Sequence, residues 1–148
     1  MDIRETAAIL AMIAAVDSRR SFGEIDVSAW HAVIGDFTFD DAREAVISHY
    51  RESPHSITPS DINTRVGAWR RKRIGNRIAP VPPVDANDIA GYQRWIGAWF
   101  TAVADGATDA EAQRRADAEI GIARQAIQHE TSPRSVDYGA VGKSVPNE

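Results

Sequence analysis

The stretch TPSDINTRVGAWRRKRI, Thr58 to Ile74, has the clearest helix start in the chain and decides how the rest is divided. Thr58 can accept from first-turn amides, Pro59 suits a first helical position that needs no amide proton, and Asp61 lies where the helix dipole favours a carboxylate. Ile62, Val66 and Trp69 then recur at helical spacing and make an apolar face. At 100° per residue Arg73 and Arg77 fall on the same stripe, so that face turns from apolar to charged after Trp69. The pattern predicts a helix that buries its first half and outruns its domain with its second.

Working back from Thr58, three more helices are expected. Ile3 to about Asp17 repeats apolar residues at Ile3, Ala7, Leu10 and Ala14, widened by Ile9, Ile13 and Val16. Asp26 is placed to cap a short helix with Val27, Trp30 and Ile34, closed by Gly35. Thr38 caps a third, with Ala42, Ala45, Val46, His49 and Tyr50 on one side, ending ahead of Pro54. Working forward, Pro80, Pro82 and Pro83 mark a semi-rigid boundary. Beyond it Ile89, Tyr92, Trp95, Ile96, Trp99, Phe100 and Val103 cover roughly 140° of a helix, and Thr108 with Glu111 forms a capping box for another, whose inner face is Ala112, Ala116, Ile120, Ala123 and Ile127. From Glu130 onward the chain is polar and without period, and disorder is expected. The fold class is therefore all-α: a four-helix N-terminal domain over residues 1–79, a proline-rich boundary over 80–85, a helical hairpin over 86–129 and a disordered C-terminal tail over 130–148.

A chain of 148 residues with 43% hydrophobic content supports a modest globular core. It has no cysteine, which excludes disulfides and thiolate metal sites and favours a cytoplasmic location. The apolar run AAILAMIAAV is too short to span a bilayer and lacks the positive flank of a signal peptide. The formal net charge of −4 is unevenly spread. Residues 1–78 hold eleven basic and eleven acidic side chains, so the deficit belongs wholly to the second half.

Chemistry-bearing motifs are few. GAVGKS, residues 139–144, resembles the end of a phosphate-binding loop, but Asp137 stands where its first glycine is required and no strand precedes it. Neither nucleotide nor any other cofactor is expected. His31, His49, His55 and His129 lack metal-ligand spacing, and His49 reads as a hydrogen-bonded core residue. Asp40, Asp41 and Glu44 read as first-turn acids that complement a helix dipole. No catalytic residue is assigned, and an enzyme is not expected.

Two features point to partners instead. Arg65, Arg70, Arg71, Lys72, Arg73 and Arg77 lie within sixteen residues that contain no acid. They point all around the helix axis, and their field would attract nucleic-acid phosphates or an acidic protein surface. A helix-turn-helix would place its base-reading residues at the start of the second helix, where this chain has Asp61, so binding to DNA is expected to be weak and indifferent to sequence. Tyr92, Trp95, Trp99 and Phe100 form the second feature. A partner helix lined with alanine and isoleucine is thin, so a further cover is expected: the first domain, a second copy of the chain or a target protein.

The order Trp30, Phe39 before DAREAVISHY, and then ITPSDI resembles the phage replicative-helicase loader/inhibitor family. The matching positions are Trp30, Ala42, Ala45, Val46, His49, Tyr50, Pro59 and Ile62, within roughly Ile3 to Trp69. The resemblance implies a helical N-terminal domain and a nucleotide-independent, non-enzymatic adaptor that brings a replicative helicase to DNA. The chain departs from the family pattern in having two well-patterned helices after the proline boundary. Alternatives are a small DNA-binding regulator that uses the basic fourth helix and an oligomerising structural protein.

Overall fold

The structure, a computed structural model, describes the backbone of residues 1–131 and the side chains of residues 1–121. Six helices account for it, and no strand occurs among the described residues: α1 (Ile3–Val16), α2 (Glu24–Ile34), α3 (Phe39–Glu52), α4 (Pro59–Ile74), α5 (Ile89–Ala104) and α6 (Asp109–Thr131). The expectation of a disordered tail concerns residues outside the described range, apart from Glu130 and Thr131, which continue α6.

Local chemistry accounts for the helix ends. Asp2 accepts from the amides of Arg4 and Glu5, and Glu5 reaches back to the Asp2 amide, closing a capping box on α1. Thr38 caps α3 through the Asp41 amide, and Thr58 and Asp61 cap α4 reciprocally. Thr108 and Glu111 do the same at the start of α6. Asp26 is not the cap of α2 as the sequence suggested. It sits at the third helical position and accepts from the amide of Gly23, which occupies the cap. An acid is favoured at either place, so its identity alone does not fix the register.

Two cores result. Ile9, Leu10 and Ile13 of α1 meet Trp30 and Ile34 of α2, Ala42, Ala45 and Val46 of α3, and Ile62 and Val66 of α4, with Phe37 and Ile57 added from the loops. Each fully buried large aliphatic side chain stabilises this core by roughly 1.5 to 3 kcal/mol. On its rim Asp17 accepts from Arg19 and Ser56, while Arg19 and Arg20 donate to the Pro54 and Ile57 carbonyls, joining the α1–α2 loop to the α3–α4 loop. The second core holds Trp95, Trp99, Ala102 and Val103 of α5 against Ala112, Ala116 and Ile120 of α6. Ile74 of α4 and Ala79 and Val84 beyond it pack on this second core, so α4 contributes to both.

α4 does not extend to Arg77. Gly75 adopts φ +47 and ψ −128, and its amide closes on the Arg71 carbonyl at 2.9 Å, ending the helix after Ile74. Arg77 lies in the turn that follows and leaves the stripe on which helical spacing would have put it.

Candidate functional site

The basic end of α4 is where both cores meet. Arg73, placed one turn after Trp69, spreads its guanidinium over Asp41 of α3 with nitrogen–oxygen distances of 2.6 and 2.7 Å. The same Nη1 donates to the Ala104 carbonyl at the end of α5, at 2.9 Å. Asp41 is therefore more than a first-turn acid: it is buried and holds the two-pronged partner that a planar guanidinium favours. The Asp41 hydrogen bond is the main reason that Arg73 is held above its ordinary pKa.

Arg70 lies over the Phe37 ring, 5.6 Å from its centroid, and donates to the Asp36 carbonyl. Its other terminal nitrogen stands 3.2 Å from Asp105 at the C-cap of α5. Both side chains are about one-fifth exposed, at 18% and 20%, so this pair is shielded more than a surface ion pair. Burial pushes the Asp105 carboxyl above its ordinary range; Arg70 pulls it down and the nearby Asp41 charge adds to the rise. Arg77 meets Asp109 at 2.6 Å with both groups well exposed. Arg65 turns the other way, to Glu52 at 2.9 Å and the Ser48 hydroxyl at 3.0 Å.

Of the six cations singled out by sequence, Arg71 and Lys72 are exposed and without an ion-pair partner among the described residues, whereas Arg65, Arg70, Arg73 and Arg77 are paired within the chain. The acids that pair with them, Glu52, Asp41, Asp105 and Asp109, lie 13 to 35 residues away in sequence. Nothing in local spacing marks those acids as partners, which is why the run looked uncompensated.

The aromatic stripe is also largely satisfied internally. Trp95 and Trp99 are fully enclosed, and the Trp95 indole donates to Asp117 of α6 at 2.8 Å. Trp99 stacks edge-on against Phe100, their centroids 5.0 Å apart, and its indole nitrogen finds no acceptor. The cover that α6 alone could not supply comes from Ile74, Ala79 and Val84. An interface built on Trp95 and Trp99 is thus corrected: in this fold neither meets solvent. Phe100 is half-buried in the same core, and Tyr92 alone of the four is exposed. Tyr92 borders a hollow of about 350 Å³ with Val81, Pro82, Val84 and Ile89.

Elsewhere, His49 is buried, with Nε2 2.9 Å from the His55 carbonyl, as a core histidine should be. No group of three His, Asp or Glu side chains converges as a metal ion requires among the described residues. No helix among them is long and apolar enough to cross a membrane. The GAVGKS segment lies outside the described residues. Comparison of the chain with protein-family models, curated proteins and solved structures gives no match.

Proposed function

We propose that this protein is a non-enzymatic adaptor that recruits or loads a replicative DNA helicase in phage-type replication. What carries the reading is the convergence of the eight positions of the resemblance. Trp30, Ala42, Ala45, Val46 and Ile62 meet in the first core, His49 and Tyr50 hold the α3–α4 loop through the His55 carbonyl and the Ile57 amide, and Pro59 opens α4. These residues act together as one framework, the role of core and cap positions in a helical domain. The likeness is one of scaffold, so the helicase contact is carried over as analogy.

Tyr92 and the hollow beside it, with the exposed Arg71 and Lys72, are the surfaces offered to partners. DNA contact through two free cations is weak and indifferent to sequence, since no array of base-reading side chains accompanies them. Capture from a bacterial host lysate by the tagged full chain tests the proposal. The replicative helicase is the expected partner, recovered equally after nuclease treatment. Recovery of DNA alone, lost on nuclease treatment, favours the regulator reading.

A further inference from the structure

We infer that the outer face of α5 is the contact of a reversible, antiparallel homodimer. A groove of about 430 Å³ runs along it, and Arg94, Gly97, Ala98, Thr101, Ala102 and Asp105 share its lining. At 100° per residue these six fall within roughly 140° of the helix, beside the face that Trp95 and Trp99 bury. This inference is independent of the helicase reading, because it concerns only what the chain does with a second copy of itself.

Gly97 marks the place of closest approach. A glycine weakens a helix interior, so it calls for a reason. Gly91, the other glycine of α5, leaves room for the Asp88 carboxylate that caps the helix through the Gly91 amide. Gly97 has no such reason within the chain: a Cβ there would meet nothing within 4 Å beyond its own helix among the described residues. Its bare backbone, exposed beside Ala98 and Thr101, lets a second helix come close.

The order of charges selects that helix. Arg94 and Asp105 stand at opposite ends of the groove, eleven residues and about 16 Å of helix axis apart. Their midpoint falls between Trp99 and Phe100, and the small residues are centred on the same point, with Gly97 and Ala98 before it and Thr101 and Ala102 after it. A second copy turned about a two-fold axis through that point runs antiparallel. It sets Arg94 of each chain against Asp105 of the other and brings the small residues together between them. A parallel copy would oppose like charges. Both groups have capacity to spare: Asp105 Oδ1 accepts no hydrogen bond, and Arg94 forms no ion pair among the described residues. On the rim α6 adds Arg115 and Glu119, again of opposite sign.

Sedimentation equilibrium of the full-length chain tests the inference. The wild type rises from 16.2 kDa toward twice that mass between about 10 µM and about 1 mM, as so small a contact predicts. Arg94→Glu and Gly97→Gln each weaken association at least about tenfold. Gly97→Gln does so without lowering the melting temperature, because the new side chain has open space in the monomer. Arg43→Glu, the same charge change at an exposed position of α3, leaves the dimer unchanged. Asp105→Lys is also monomeric, and mixing it with Arg94→Glu restores a dimer of the two variants, since every 94–105 pair then has opposite signs. A wild type that stays at 16.2 kDa throughout overturns the inference, as does failure of the two folded variants to pair. So does association that Arg94→Glu and Gly97→Gln leave intact, a result readable even if Asp105→Lys fails to fold.

Discussion

Arg73 grips Asp41 across 32 residues of sequence, with both prongs of its guanidinium within 2.7 Å of the carboxylate, and its Nη1 also reaches the Ala104 carbonyl of α5. One side chain therefore ties the first core to the second. Removing Asp41 leaves a partly buried guanidinium without its partner, so Asp41→Ala should destabilise the fold by about 2 kcal/mol. Arg73→Lys, which cannot form the fork, should lose about half as much. Urea unfolding followed by tryptophan fluorescence measures both, and a neutral Asp41→Ala would show that the pair adds nothing.

The two enclosed tryptophans respond as core residues. Trp95→Ala and Trp99→Ala should each cost about 3 to 5 kcal/mol, and Tyr92→Ala less than about 0.5. Trp95→Phe should cost more than Trp99→Phe, because it gives up the hydrogen bond to Asp117 while the Trp99 indole has none to lose. Chemical denaturation of the five variants decides the order. A mild Trp95→Ala would mean that the second core does not require this side chain.

Gly75 holds a left-handed backbone that other residues adopt only under strain. Gly75→Ala should cost about 1 to 3 kcal/mol, read as a fall in melting temperature. An unchanged melting temperature would place the end of α4 elsewhere.

Acid should unfold the protein through its capped and paired carboxylates. The Arg19 guanidinium, helped by the Ser56 hydroxyl, holds the Asp17 carboxyl well below its ordinary range, and Thr58 lowers Asp61 while Arg65 lowers Glu52. A depressed folded-state pKa gives stability that is complete above the unfolded value, about 4, and is lost as pH falls toward the folded value. Asp105 has the opposite sign: its raised pKa favours the fold in acid and withdraws that support as pH rises through the folded value. The depressed groups outnumber it, so stability should fall below about pH 4. Asp17→Asn should flatten that fall while lowering stability at neutral pH. An equally steep acid transition in Asp17→Asn would assign the dependence to other groups.

The sequence was most legible where structure is local. Thr58, Pro59 and Asp61 announced α4, Thr108 and Glu111 announced α6, and the alanine spacing of α6 gave its inner face at Ala112 and Ala116. Pairing across long separations was not legible. Arg73 looked like a charge leaving its domain because Asp41 lies in another helix, and the α5 tryptophans looked in need of a partner because the Ile74 and Val84 packed on their core belong to segments with their own patterns. The Arg77 placement failed for a local reason: one glycine at positive φ ended the helix before the stripe could continue.

The adaptor account is tested most directly by mixing the purified full-length chain with a purified bacterial replicative helicase, without nucleotide, and measuring mass by light scattering during size exclusion. The account predicts a single complex heavier than the helicase alone by at least one copy of the chain, formed without DNA. Separate elution of the two proteins, both with and without ATP, would contradict it.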